Sequence, residues 1–224
     1  MINASARPID GLVTDTGKSD YGNSPTFSAP ARRGTAAGAA QRGRMGDPTK
    51  LSAVALAGAL RSGELSAVSV MRAFLERIAR LNPAVNAIVS MRRADELLAE
   101  AAAADAVPRS ERPPLHGIPF AVKDLTPVAG IPYTQGSPVY ASRVPSEDGV
   151  MASRLRAAGA IIIGMTNVPE FGLGSHTFNP LFGTTRNPYA LERSAGGSSG
   201  GAAAALAARM VRIPAHLVVA APHR

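Results

Sequence analysis

Apolar residues recur at helical spacing through the first half of the ordered-looking chain, then collapse into short unbroken runs. Asp47 and Pro48 read as an N-cap and a first helical residue, because Asp accepts from exposed N–H groups and Pro lacks one. The helix so started would place Leu51, Val54, Ala55 and Gly58 on one face, with Gly63 closing it. Ser66 caps a second helix, whose stripe of Val70, Met71, Phe74, Leu75, Ile78 and Leu81 is one face of a 3.6-residue period. Asn82-Pro83 is expected to end it. Residues 86–91 fit a short strand, and Arg93–Ala106 a helix with Leu97 and Leu98 among alanines.

Two runs then lose the helical period. Ile118 to Leu125 reads as a buried strand carrying a lysine, and Ala160–Met165, with three successive isoleucines, as a second. Between them, Ser146 is expected to cap a helix over Glu147–Ala158, with Glu147 and Asp148 in its first turn and Gly159 after its end. Strand, helix, strand implies an α/β sheet covered on both faces. Residues 166–193 read as a long loop holding Asn167, Glu170, Gly172, Gly174, Ser175, Asn179, Asn187 and Pro188; loops of that length are usually functional. Residues 1–44 are rich in Gly, Ser, Thr, Pro and Ala without a period, and are expected to be a disordered leader.

The stretch from Ser194 to Ala208, S-A-G-G-S-S-G-G-A-A-A-A-L-A-A, holds the chemistry. Gly196, Gly197, Gly200 and Gly201 permit a tight turn with exposed N–H groups. Alanine is the best helix former, so Ala202 to Arg209 is expected to be a helix. A glycine loop running into a helix N-terminus gathers N–H donors where negative charge develops. Gly/Ser runs also make linkers, but the apolar flanks and the alanine run argue against one here. The nucleotide-loop patterns G-x-x-x-x-G-K-[ST] and G-x-G-x-x-G are absent.

Composition narrows the chemistry. The 224 residues contain no cysteine, which removes disulfides, thiol catalysis and Cys-ligated zinc, and suits a reducing, cytoplasmic compartment. The formal net charge is +8. The excess is arginine spread along the chain, without an RNP, zinc-finger or basic-helix pattern, so no nucleic-acid partner is expected. No apolar run approaches the length of a membrane span, and no secretory signal is visible. His116, His176, His216 and His223 form no metal-binding pattern, so no metal and no cofactor are expected. Lys18, Lys50 and Lys123 are the only lysines, and Lys123 alone lies in an apolar run. Burial lowers an amine's pKa and makes it a competent base. The plain alternatives are an ion pair with Asp124 or an escape to solvent at the strand end, although strand neighbours point to opposite faces. Ser198 with a lysine elsewhere fits the Ser-Lys variant of nucleophilic catalysis. Glu170 is a candidate for orienting backbone.

Four segments carry a resemblance: H-G-I-P-F-A-V-K-D-L (116–125), I-I-I-G-M-T-N-V-P-E-F-G (161–172), F-G-T-T-R-N-P-Y (182–189) and the serine-glycine stretch 194–208. Together they resemble the amidase signature family of C–N hydrolases, over roughly Met45 to Val211. The resemblance implies a mixed β-sheet sandwiched between helices, here incomplete because the C-terminal half is missing. It implies a Ser–Ser–Lys triad that attacks a carboxamide and forms an acyl-enzyme. Lys123 matches the family's base and Ser198 the bridging serine, held on a cis peptide bond. Ser199 matches a supporting serine, within the loop of Gly196, Gly197 and Gly200. The substrate-binding residues stay unknown.

One departure weighs against activity. The family's nucleophilic serine lies in a later segment resembling G-S-D-x-G-G-S-x-R-x-P-A, which also supplies oxyanion-hole N–H groups. No serine follows Ser199 here; Met210-Val211 runs into R-I-P-A and then H-L-V-V-A-A-P-H-R. The expectation is therefore a fragment: leader 1–44, the N-terminal half of an amidase-signature domain over 45–211, and an aberrant tail over 212–224. It is expected to be an amidase by family and inactive as written. The alternative within the enzyme class is the amidase component of a tRNA-dependent glutamine-forming amidotransferase. A third reading is a non-catalytic fragment that binds a ligand, a homologue or another copy of itself through an unfinished sheet edge. An intact relative would act on a small-molecule amide.

Overall fold

The computed structural model describes residues 46–213. The expected leader, and the expected tail from residue 214 onward, lie outside the described residues. Five α-helices are described: α1 (Ala53–Ser62), α2 (Ala67–Val85), α3 (Ala94–Asp105), α4 (Val150–Ala157) and α5 (Gly200–Ala207). A three-stranded sheet is built from β1 (Ile88–Val89), β2 (Pro119–Lys123) and β3 (Ile161–Thr166) in the order β1-β3-β2. β2 runs parallel to β3 and β1 antiparallel to it. Every residue of β2 and β3 is buried, as expected for strands covered on both faces.

The two faces take different partners. Ala121, Ile161 and Ile163 pack into one apolar cluster with α1, α2, α3 and α5, through Leu56, Phe74, Leu97, Ala204 and their neighbours. Phe120, Val122, Ile162 and Met165 pack into a second cluster with Ala152 of α4 and with Val128, Ile131 and Tyr133 of the loop that follows β2. Pairing skips a residue between Phe120 and Ala121, so Ala121 faces Gly164 rather than Ile163. An extra residue of this kind is a bulge, and it exchanges the faces that later residues of the strand serve. Met165 accordingly joins the second cluster, although Ile161 and Ile163 lie in the first. The mixed sheet between a helical layer and an opposing layer is the architecture expected from the sequence.

Several boundaries differ from the sequence expectation. Asp47 caps only the 3₁₀ turn Pro48–Lys50, with its Oδ1 accepting from the Thr49 N–H at 2.9 Å. Ser52 caps α1 instead, and the buried face is Leu56, Ala59 and Leu60, with Val54 83% exposed. Gly63 does end α1, in the left-handed conformation at φ 73°. Ser66 caps α2 through the Ser69 N–H, but Pro83 sits inside the helix rather than ending it. Asn82 Oδ1 accepts from the Ala87 and Ile88 N–H groups, which carries the chain through the turn beyond Asn86. α4 starts at Val150, not Glu147. Asp148 lies before it, accepting from the Ala129 N–H and pairing with Arg156 at 2.9 Å. The long loop 166–193 contains two small hairpins, β4 (Phe178–Asn179) with β5 (Gly183–Thr184) and β6 (Arg186–Asn187) with β7 (Ala190–Ser194). Three of these strands are two residues long and leave no period to read. α5 begins at Gly200, two residues earlier than its alanines suggest.

Candidate active site

The site lies where the C-terminal end of β2 meets the N-terminal end of α5. Alternation along β2 sends Lys123 to the same face as Ala121, toward the helical layer that contains α5. Lys123 is 4% exposed. Its Nζ lies 3.0 Å from Ser198 Oγ and 2.9 Å from Ser199 Oγ. Burial lowers the Lys123 pKa. Asp124 points to the other face and its carboxylate accepts from the Thr134 N–H at 2.9 Å and the Thr134 hydroxyl at 2.5 Å. The ion pair with Asp124 and the escape to solvent are therefore both replaced by two hydroxyl contacts. Burial raises the Asp124 pKa, against the lowering effect of those Thr134 hydrogen bonds.

Ser198 is partly exposed, and Ser199 is 8% exposed. The Gly197–Ser198 peptide bond is cis. Gly196 adopts φ 77°, a conformation that favours glycine. Its carbonyl accepts from the Thr177 N–H at 2.8 Å. Gly197 leans on the 175–176 backbone, where a Cβ would come within 3.0 Å of His176. The Gly200 N–H donates to Thr177 Oγ1 at 3.0 Å, and Gly201 lies against the Asn167 backbone with no room for a side chain. The alanines have the same cause. Ala202, Ala204 and Ala205 are buried, and a helix that is apolar nearly all round belongs inside a core.

Beneath the serine loop runs a buried polar lattice that sequence reasoning gave no role. Asn167 Nδ2 donates to Thr185 Oγ1 at 3.0 Å, and Thr185 Oγ1 donates to the Asn86 carbonyl at 2.6 Å. Asn179 Nδ2 donates to Asn167 Oδ1 and to the Val168 carbonyl, each at 2.7 Å. Thr185 also ties the lattice to the loop, because the Ala195 N–H donates to its carbonyl and its own N–H to the Thr177 carbonyl. Asn167 and Thr185 stand inside the segments that carry the resemblance, whereas Asn179 does not, and a polar residue in a loop does not reveal burial. Glu170, expected to orient backbone, accepts from the Ser137 hydroxyl at 2.7 Å. His116 is buried, with Nε2 lacking a partner; burial, then Arg112, lowers its pKa. Among the described residues no group of three His, Cys, Asp or Glu side chains is placed to hold a metal, and no helix is long and apolar enough to cross a membrane.

An amine deprived of charged partners, beside two hydroxyls on a glycine turn, is suited to moving a proton to and from a serine. The chain is similar to known proteins in sequence and in fold. The family model described as Amidase matches residues 69–214. The chain is 45% identical over 166 residues to a glutamyl-tRNA(Gln) amidotransferase subunit of Acidothermus cellulolyticus, covering 73% of this chain and 33% of that one. It thus spans about a third of the length of the curated relatives it matches. Among solved structures, fatty acid amide hydrolase superposes with TM-score 0.71 at 29% identity, over 78% of this chain and 32% of that one. Peptide amidase from Stenotrophomonas maltophilia gives 0.67 at 33% identity, over 74% and 35%. With the family match extending over most of its length and these neighbours sharing its fold, the chain belongs to the amidase family.

Proposed function

We propose that this chain carries the proton-transfer half of a site that hydrolyses carboxamide C–N bonds, with Lys123 as base and Ser198 as the relay. The supporting observation is the 3.0 Å contact between Lys123 Nζ and a partly exposed Ser198 Oγ, with no acid on the amine among the described residues. In this reading the neutral amine takes the Ser198 proton while Ser198 takes one from a nucleophilic serine, whose oxygen attacks the amide carbon. Ser199 holds the amine from its other side, and Gly196, Gly197 and Gly200 shape the turn. Residues 45–211 form the portion of the catalytic domain that contains this half. The nucleophile belongs to a segment beyond Ser199, and no serine follows Ser199 in the 224 residues. The chain by itself therefore does not turn over amides, because members of a triad act as a unit.

A chimera tests the roles. Residues 69–211 would replace the matching segment of the Acidothermus cellulolyticus relative, and ammonia release from small carboxamides would be followed. The expected result is turnover that falls at least 100-fold with Lys123→Met and with Ser198→Ala, the scale of general-base catalysis. A folded chimera indifferent to both substitutions would refute the assignment. The relatives' name favours a second reading, that the amide is glutamine and the site serves an amidotransferase. A chimera that releases ammonia from glutamine no faster than from simple aliphatic amides would count against it.

A further inference from the structure

The site holds more than a relay. We propose that Ser198 of this chain is itself a nucleophile, acylated by activated esters through a two-residue dyad with Lys123. Three observations converge on it. Lys123 Nζ reaches both hydroxyls, at 3.0 Å for Ser198 and 2.9 Å for Ser199, so the second contact fixes the amine while the first is free for chemistry. Of the two serines only Ser198 is accessible, Ser199 being 8% exposed. The turn is open on one side, since a Cβ on Gly196, two residues before Ser198, would meet nothing within 4 Å. The titratable side chains of the surrounding segments face other partners: Asp124 bonds Thr134, Glu170 bonds Ser137 and His176 contacts Ser194. Among the described residues nothing acidic holds the proton on Lys123, and burial already lowers its pKa.

The step balances within the chain and the ester. The neutral amine takes the hydroxyl proton as Ser198 Oγ bonds to the carbonyl carbon of p-nitrophenyl acetate. Collapse of the tetrahedral intermediate breaks the carbon–oxygen bond to the leaving group. The products are acetyl-Ser198, p-nitrophenolate and an ammonium on Lys123, which returns its proton to solvent. The oxyanion forms beside the first turn of α5, the positive end of its dipole. A phenolate departs without a proton, so an activated ester needs no general acid beyond the dyad.

The inference uses the amine of the preceding reading but not its absent nucleophile, so either can fail alone. The experiment treats the purified 224-residue chain with p-nitrophenyl acetate and locates acetyl groups by mass spectrometry of peptides. One acetyl on Ser198 is expected, formed at a rate that rises with pH and levels off once Lys123 is neutral. Lys123→Met lowers that rate about 100-fold or more. Ser198→Ala abolishes the adduct, and the heat-unfolded chain does not form it. Acetylation confined to lysines, or a Ser198 adduct that forms equally fast in the unfolded chain, overturns the proposal. Those two outcomes are read on the unmutated chain, so they do not depend on any variant folding.

Discussion

Lys123 sits where a charged amine is poorly accommodated, 4% exposed and hydrogen-bonded to two hydroxyls. Stability and chemistry therefore pull in opposite directions at this residue. Lys123→Met keeps most of the volume and removes the charge, so the variant should be more stable by about 1 kcal/mol near neutral pH. The pH dependence has a definite sign. Burial lowers the folded pKa, so between that value and the ordinary lysine value the unfolded chain holds more protons. Wild-type stability rises with pH across that window, and the advantage of Lys123→Met shrinks until it vanishes near pH ~10.4. Urea midpoints of both proteins from neutral to alkaline pH would measure this. A constant gap between them would mean that the amine is not desolvated. The sequence showed Lys123 as an oddity in an apolar run, but not its partners, because contacts with residues 75 and 76 positions away are made only in the folded chain.

At the scale of elements, α5 joins a glycine-rich start to a sequence of buried alanines, and both features follow from how closely it approaches β3 and the loop after it. Helix propensity alone says that Gly201→Ala stabilises a helix by about 1 kcal/mol. The close approach says the opposite, because the added Cβ would press on the backbone of Asn167. Backbone yields less than a side chain, so Gly201→Ala should cost about 2–3 kcal/mol net. Gly200→Ala meets the Thr177 side chain instead and should cost less. Denaturant melts of the two variants would rank them, and a stabilised Gly201→Ala would show that α5 is not seated this tightly. The alanine run made α5 legible, whereas its tight seat was not. The inward face of α1 was hidden for a related reason. Its sequence A-V-A-L-A-G-A-L is apolar nearly all round, so periodicity could not choose between Val54 and Leu56 as the inward residue. α2 alternates charge with large apolar residues, and of the stripe read there Val70, Met71, Phe74, Ile78 and Leu81 are buried and Leu75 is partly buried, whereas the buried Arg77 and Val85 were not read.

Across the whole molecule, the site depends on β2 and α5 being held in register by residues far from either serine. Arg77 supplies one such tie. It is buried in the middle of α2, and its Nε donates at 2.6 Å to the carbonyl of Ala208, 131 residues away. That carbonyl belongs to the C-terminal cap of α5, where a cation is also favoured by the helix dipole. The other end of α5 carries Ser199, which bonds Lys123. A hydrogen bond from a charged donor contributes about 1.5–3 kcal/mol, and its loss here would also expose a gap between two helices. Arg77→Ala should therefore lower stability by at least that amount. It should slow acetylation of Ser198 as well, although Arg77 touches neither serine, because α5 would no longer be fixed at both ends. The discriminating comparison is Arg77→Lys, which restores a cation without the guanidinium geometry and should recover part of the stability. If Arg77→Ala lost stability while Ser198 reacted at the wild-type rate in the folded fraction, the two ends of α5 would be uncoupled and the helix would not be what carries the serine pair to the amine.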